Sequence, residues 1–418
     1  MRKQALVILS RYLWPVDGGR KESLNHYLKE LYDNYNYNIT VLCFLEAGQK
    51  VNEEDKPYYI EEVKALKDVE THEKIKNFFL HSLIKEKWPI QCSMYFSKKN
   101  AETIRTYAEQ INPDLIFTEM IRTCSYFDSF KNTKALKLAN LDDLLSTRYR
   151  RQLSSAKSDA SITGAYGGKL PEWFNRIVSG KLVKSAVLKM ESNRCKKWED
   201  IFYQWYDYSL MTSNVERDIL NKRMNNNKAK TLTVGVDCDY YAQPIKSEKD
   251  NKGLSYVGNF SVASNADTLK MMLEDILPLL KSDYRLYVIG KCPEALIEKY
   301  RNDKIIFCGR VDDLREYVKR TVVFFSPIAY GTGVKTKIVE AMAMGMPVVT
   351  NSVGIEGIHA KPGEDIIVSD DYKELARLTD QLLNNKEFCE IIGRNARMFA
   401  ESTFRWEKVF EVYKEMDL

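Results

Sequence analysis

Short runs of β-branched, aliphatic and aromatic residues, bounded by turn residues, alternate with helix-period segments along most of the chain. Runs of this kind are apolar on both faces, so each must be covered above and below. A parallel sheet flanked by helices does this. The strands expected in the first half are Ala5 to Ser10, Ile39 to Phe44, Asp114 to Thr118, Ala135 to Leu138, Tyr208 to Thr212 and Thr231 to Val234. In the second half they are Leu254 to Gly258, Arg285 to Gly290, Lys304 to Gly309, Thr321 to Ser326, Met346 to Thr350 and Asp365 to Val368. A chain of 418 residues exceeds one ordinary core, which predicts two α/β domains.

The stretch "QPIKSEKDNKG", Gln243 to Gly253, has almost nothing to bury and reads as an exposed linker. Domains are therefore expected at 1–242 and 254–398. A helix-rich insertion or lid over about 150–200 breaks the strand rhythm. Its centre, "GGKLPEWFNRIVSGKLVKSAVLKM", sets Trp173, Phe174, Ile177 and Val183 among Lys169, Arg176, Lys181 and Lys184. This basic amphipathic pattern either packs on its own domain or touches a membrane surface at about 160–190.

No apolar run reaches the roughly 18 residues of a span, and Ala5 to Leu9 is too short for a signal h-region, so a cytoplasmic protein is expected, at most peripheral to the inner face of a membrane. With 63 basic against 58 acidic side chains, bulk charge gives no reason to expect a nucleic-acid partner. Eight cysteines without a CxxC pair read as reduced, mostly buried thiols, and four histidines without zincin spacing predict no protein-held metal.

The densest chemistry lies in "FFSPIAYGTGVKTKIVEAMAMGMPVVTNSVGIEGI", Phe324 to Ile358. A buried strand ends at Ser326, and Gly331 and Gly333, beside Tyr330 and Thr332, let the backbone turn or approach a ligand. A helix beginning near Val334 to Lys337 points its N–H groups at the locus of Lys335 and Lys337, which suits a diphosphate. Glu340, three residues beyond Lys337, shares its helix face and is placed to bind a ribose diol.

This passage resembles the signature of the retaining family 4 glycosyltransferases, in their glycine-loop branch: a glycine-rich loop, a basic pair, then glutamate with Ala-Met-Ala and Gly-x-Pro-Val-Val. The likeness extends to "TVGVDCDYY" (Thr233 to Tyr241), "VGNFSVASNADTL" (Val257 to Leu269), "YVIGKCP" (Tyr287 to Pro293), "IIFCGRVDDL" (Ile305 to Leu314) and "FAESTFRWEKVFEVYKEM" (Phe399 to Met416). In the first half it rests on "WPVDGGRKESLNHYLKEL", Trp14 to Leu31.

The resemblance implies a GT-B fold: two Rossmann-like domains facing a central cleft, with a helix at 399–418 returning to the first. It implies transfer of a hexosyl or N-acetylhexosaminyl group, with retention, from a nucleoside diphosphate sugar to a hydroxyl of a glycan, lipid-linked or protein-linked acceptor. A UDP-sugar is favoured as co-substrate and a GDP-sugar is the alternative; no bound cofactor is implied. Polysaccharide or glycoconjugate assembly of a bacterial type is the expected setting.

By the same likeness Gly18 and Gly19 approach the donor phosphate, and Gly258, Asn259 and Gly290 line the donor site. Backbone at Arg310 and Val311 holds the base, Lys335 and Lys337 the diphosphate, and Glu340 the ribose. Three departures stand out. Thr332 replaces a glutamate that addresses the sugar in many members, Asn259, Phe260 and Ser261 follow Gly258 in place of Arg and Lys, and Glu119 and Arg122 stand near the usual first-domain histidine.

Asp142 and Asp143, at a strand's carboxyl end, are candidates to orient an acceptor hydroxyl or to cap a helix. Arg148, Arg150 and Arg151 are expected to face water. A nucleotide-sugar epimerase of the same architecture and a glycosyltransferase-like partner subunit without turnover are the alternative functions.

Overall fold

The computed structural model describes residues 2–16, 18–45, 48–85, 87–154 and 181–418. They form two compact units: unit 1 holds Met1–Thr147, Met190–Thr233 and Phe410–Leu418, and unit 2 holds Arg148–Lys189 and Val234–Val409. The centre of the amphipathic stretch, including Trp173, Phe174 and Ile177, lies outside the described residues.

Unit 1 is built on seven parallel strands: β1 (Lys3–Leu9), β2 (Tyr37–Phe44), β3 (Glu62–Leu66), β4 (Leu115–Glu119), β5 (Leu136–Asp142), β6 (Tyr208–Met211) and β7 (Ala229–Thr231). Their order is β3-β2-β1-β4-β5-β6-β7. Ala5 through Leu9 of β1 are fully buried, as expected of a central strand covered on both faces.

Helices α1 (Gly19–Asp33), α2 (Thr71–Asn77), α3 (Ile90–Tyr95), α4 (Lys98–Ile111), α5 (Met120–Cys124) and α6 (Leu145–Ser154) follow strands of this sheet. In α1, Leu24, Tyr27, Leu28 and Leu31 recur at three- and four-residue spacing and make its buried face. The Tyr27 hydroxyl donates to the Leu232 and Thr233 carbonyls, and its ring meets Phe410 edge-on, so the last residues of the chain pack into unit 1.

Unit 2 has six parallel strands: β8 (Gly253–Val257), β9 (Arg285–Ile289), β10 (Ile305–Gly309), β11 (Val323–Phe325), β12 (Val348–Thr350) and β13 (Ile367–Val368). Their order is β10-β9-β8-β11-β12-β13. In each sheet the winding reverses beside the first strand, between β1 and β4 and between β8 and β11. Ligands of doubly wound sheets bind at such a reversal, off the strands' carboxyl ends. The fold is α/β with two Rossmann-like units, as expected.

Four local expectations need correction. Strand β3 was not foreseen, because Glu-Val-Lys-Ala-Leu sits on an edge and buries only Val63 and Leu66. The strand expected at Thr231 to Val234 falls earlier, at Ala229–Thr231, where it pairs with β6. The stretch Gln243 to Gly253 is mostly exposed, as expected, but lies inside unit 2 and is anchored there: Asp250 is buried and accepts bonds from the Arg285 guanidinium and the Tyr287 hydroxyl, while Glu316 receives the Lys246 and Ser247 amides. The single helix expected over 399–418 is interrupted: helix Lys386–Thr403 ends at Phe404, whose carbonyl accepts the Val236 amide at 2.8 Å. Short turns at Trp406–Val409 and Phe410–Met416 follow.

Candidate functional site

The carboxyl ends of β8, β9 and β10 bring together the glycines singled out in the second half. Gly258 donates to the Ile289 carbonyl, and Gly290 to the Gly309 carbonyl. Gly290 has φ +123, and a Cβ there would stand 2.1 Å from the Gly258 carbonyl oxygen, so only glycine fits. The Asn259 side chain receives the Ser261 amide. Arg310, exposed, and Val311, packed on the unit's core, follow Gly309.

After β11 the chain turns through Tyr330, Gly331, Thr332 and Gly333, with Gly333 at φ +68. The Tyr330 hydroxyl donates to Asp267 at 2.9 Å. Helix Thr336–Ala343 then begins, with Lys335 at its N-cap; its start is about a turn's half later than expected from Val334. Ile338, Val339, Ala341, Met342 and Ala343 are buried, which seats this helix against the sheet and fixes its first turn beside the end of β8.

Lys337 is the best-defined group of the site. Its ammonium donates to the Val257 carbonyl and the Asn265 Oδ1, both at 2.9 Å, and to the Tyr256 hydroxyl at 3.3 Å, and it lies over the Tyr256 ring. All three acceptors are neutral. Burial, reinforced by Lys335 and only partly opposed by Glu340, lowers its pKa to about 7. Glu340, one turn on, is close enough to be felt by Lys337, as the spacing suggested. Lys335 instead folds back, donating to the Thr332 and Gly333 carbonyls of its own loop at 3.3 and 2.6 Å.

The glycine loop also meets arginines that the sequence reading left to water. Within unit 2, Arg148 Nε donates to Thr332 Oγ1 at 3.2 Å. Arg151 donates to the Gly331 carbonyl at 2.9 Å and pairs with Glu356 at 2.7 Å. Arg148 and Arg150 are both exposed, as expected, and Arg151 is half-buried. Nothing in the local pattern "STRYRR" distinguished the two engaged arginines from the third.

At the carboxyl edge of the unit 1 sheet stands a second charged group. Glu119, at the end of β4, is fully buried; it accepts the Ser10 amide at 3.0 Å and also the Ser10 hydroxyl. Burial alone would raise its pKa, but Arg11, Arg20 and Arg122 outweigh it and hold it at about 2. Arg20, in the first turn of α1, bridges Glu119 at 3.5 Å and Asp142 at 2.9 Å.

Asp142 ends β5 at φ +71, beside a register shift against β6, and Met120 follows Glu119 at φ +66. Asp142 keeps partial exposure, whereas Asp143 is buried, so the two aspartates are not equivalent. Gly18 is the N-cap of α1 and Gly19 its first residue. Gly18 has extended φ −172 with open space where a Cβ would go, so neither conformation nor packing requires glycine there. Arg20 was missed because it reads as one of several surface charges in "GGRKES".

Comparison with known proteins bears on this arrangement. Residues 251–385 match the family model "Glycosyl transferases group 1". A protein of the cps region of Klebsiella pneumoniae is 26% identical over 188 residues, covering 41% of this chain and 48% of that one. The glycosyltransferase MJ1069 of Methanocaldococcus jannaschii is 23% identical over 261 residues, covering 56% and 65%. The chain thus spans about half to two thirds of the length of these relatives.

Among solved structures, sucrose-phosphate synthase of Thermosynechococcus elongatus superposes with a TM-score of 0.69 at 16% identity, covering 99% of both chains. Anabaena HepE, crystallised with UDP and glucose, superposes with a TM-score of 0.64 at 13% identity, covering 98% of both. At these identities the likeness concerns the fold. Residues 251–385 are thus similar to the group 1 glycosyltransferases, and the chain that carries them has the GT-B fold.

Proposed function

We propose that this chain transfers a glycosyl group from a nucleoside diphosphate sugar to an acceptor hydroxyl with retention at the anomeric carbon. The observation that carries the reading is Lys337, a half-buried cation bonded to three neutral acceptors at the carboxyl end of β8. A diphosphate at this locus supplies the counter-charge that the carbonyl, amide and hydroxyl acceptors of Lys337 do not, and Lys335 joins it by leaving the two loop carbonyls it now holds. Glu340 takes the ribose diol, and backbone at Arg310 and Val311 takes the base. A UDP-sugar is favoured because HepE, of the same fold, was crystallised with UDP.

In the reaction the bond from the anomeric carbon to the diphosphate oxygen breaks, and a bond to the acceptor oxygen forms on the same face. The acceptor's proton passes to the departing phosphate. Lys335 and Lys337 stabilise charge developing on that phosphate, where preorganised donors act most strongly. Asp142, held by Arg20 and partly exposed, orients the acceptor hydroxyl. Cell-surface polysaccharide assembly is the setting this reading favours, in keeping with the cps-region relative.

The test combines two measurements. A thermal-shift panel of nucleoside diphosphates and their sugars identifies the donor, since a ligand of the native state raises its melting temperature. Nucleotide release with that donor is then followed with and without hydroxyl acceptors, and the anomeric configuration of the product is read by NMR. Acceptor-independent conversion of the donor to an epimer, or an inverted product, would defeat the proposal.

A further inference from the structure

The turn that joins β5 to α6 is held by groups brought from far along the chain. Asp142 ends β5 at φ +71, and α6 begins at Leu145. Aspartate tolerates this region better than most residues, but the conformation stays uncommon outside glycine and gathers at functional positions whose surroundings fix it. Here those surroundings are explicit. The Asp142 carbonyl accepts the Thr212 amide at 2.8 Å and the Thr212 hydroxyl at 3.0 Å.

Two amides further along the turn are taken by carboxylates. Leu144 donates to Glu216 Oε1 and Ser146 to Glu199 Oε1, both at 2.9 Å. Glu199 Oε2 also accepts the Ser146 hydroxyl at 2.6 Å, and the Ser146 carbonyl accepts the Ser192 hydroxyl at 2.7 Å. Glu199 and Ser192 stand on the helix Lys181–Trp205, 53 and 46 positions from Ser146. Glu216 stands on the helix Asn214–Met224, 72 positions from Leu144. All of these groups lie in unit 1.

Capping alone does not call for this arrangement. The first amides of a helix have no partner within it, and one Ser, Asp or Asn at its start ordinarily serves. Glu199 and Glu216 are instead fully buried, where a carboxylate is costly unless it is bonded. Burial raises the Glu199 pKa above its ordinary value even with Arg223 at 3.0 Å and the Ser146 bonds opposing it. What the two glutamates add is a fixed backbone between strand and helix.

The side chain placed by that backbone is Asp142. Its carboxylate keeps partial exposure at the carboxyl edge of the sheet and meets Arg20 at 2.9 Å. Arg20 thus fixes the side chain while the glutamates fix the turn that bears it. A group that orients a hydroxyl must be placed to well under an ångström, which a turn held only by its own residues does not secure.

We propose that Glu199 and Glu216 are positioning residues for the transfer: through the Ser146 and Leu144 amides they set the Asp142 carboxylate in the orientation that takes the hydroxyl of the acceptor substrate. This rests on the proposed reaction, in which Asp142 orients that hydroxyl.

Steady-state transfer is measured on the full chain with the donor and hydroxyl substrate that give nucleotide release in the panels above. Glu199→Ala and Glu216→Ala should each raise the KM of the hydroxyl substrate about tenfold and lower kcat about tenfold, the loss expected when a reacting group is slightly misplaced. The melting-temperature rise given by the donor's nucleoside diphosphate should stay as in the wild type. Glu216→Gln, which keeps an oxygen for the Leu144 amide, should restore kcat/KM to within about threefold of wild type. Asp142→Asn should lose transfer by a similar factor to the alanine variants, and adding Glu199→Ala to it should cost less than about twofold more, because both changes act through one carboxylate. Ser192→Ala removes a single bond from the turn and should raise the same KM about threefold, which supplies the test if the alanine variants do not fold.

Wild-type kinetics in Glu199→Ala and Glu216→Ala, or in Ser192→Ala where those do not fold, would overturn the proposal. So would losses that multiply with that of Asp142→Asn, or equal losses in nucleotide binding and transfer. A silent Asp142→Asn would remove the role given to Asp142 itself, and the positioning with it, whereas silent glutamate variants beside a defective Asp142→Asn would remove the positioning alone.

Discussion

The carboxyl edges of the two sheets have the same topology and opposite electrostatics. In unit 1 Arg11, Arg20 and Arg122 converge on Glu119, and Arg20 spans Glu119 and Asp142, so opposite charges meet within the protein. In unit 2 Lys337 is held, half-buried, among a carbonyl, an amide oxygen and a hydroxyl. A cluster of paired opposite charges holds a shape, whereas a cation among neutral acceptors is unfinished until an anion arrives. On the proposed reading, the first edge positions and the second stabilises charge.

The largest expected effect tests the first half of this contrast. Glu119→Gln leaves buried arginines without their shared carboxylate and should destabilise the protein by about 3–5 kcal/mol, read by denaturant unfolding. A change below about 1 kcal/mol would mean the cluster is not mutually dependent. Because the folded pKa of Glu119 is depressed, its stabilisation is present above the ordinary value of 4.5 and lost as pH falls through about 2.

Next in size, Lys337→Ala should lower kcat by about 100- to 1000-fold, the range for removing one preorganised donor to developing charge, with little loss of stability. Near wild-type turnover would remove Lys337 from the reaction. Third, nucleoside diphosphate binding should take up a proton. Unliganded Lys337 titrates near 7 and a bound dianion raises that value, so affinity falls toward about tenfold per pH unit above it. Calorimetry in buffers of differing ionisation enthalpy reads the uptake, and Lys337→Arg should flatten the profile. The unliganded protein should gain stability as pH rises from about 7 toward 10.5, because across that window the unfolded chain holds the proton the folded one lacks.

The smallest effect separates the two lysines. Lys335 is already bonded to the Thr332 and Gly333 carbonyls, so it must break local contacts to meet a ligand. Lys335→Ala should reduce kcat by about tenfold, well short of Lys337→Ala. Equal losses would mean that the two cations act as one.

Much of this was legible in the sequence where the signal was local. Buried strands such as Ala5–Leu9 announce themselves by composition, and "GTGVKTKIVE" carries loop, cations and carboxylate at spacings a helix start explains. What stayed hidden depends on partners far along the chain or on backbone angles. Asn265 lies 72 positions from the lysine it holds, and Arg20 meets residues about 100 and 120 positions away. The left-handed backbone at Met120 leaves no mark in the sequence, because methionine does not favour it, and aspartate, which does, is too common elsewhere to flag position 142. Strand β3 was lost because an edge strand needs few apolar residues.

The touching backbones of Gly258 and Gly290 set limits on any redesign of this unit. A methyl group at 290 would strike the Gly258 carbonyl, so a library that randomises the strand ends would lose most members at that position. Alanine at 258 would press on Asn265, an acceptor for Lys337, and so would retune the cation through a residue that touches no substrate. If the proposed donor site holds, diversity aimed at new donors belongs at Asn259, Arg310 and Val311, with 258 reserved for adjusting the pH optimum.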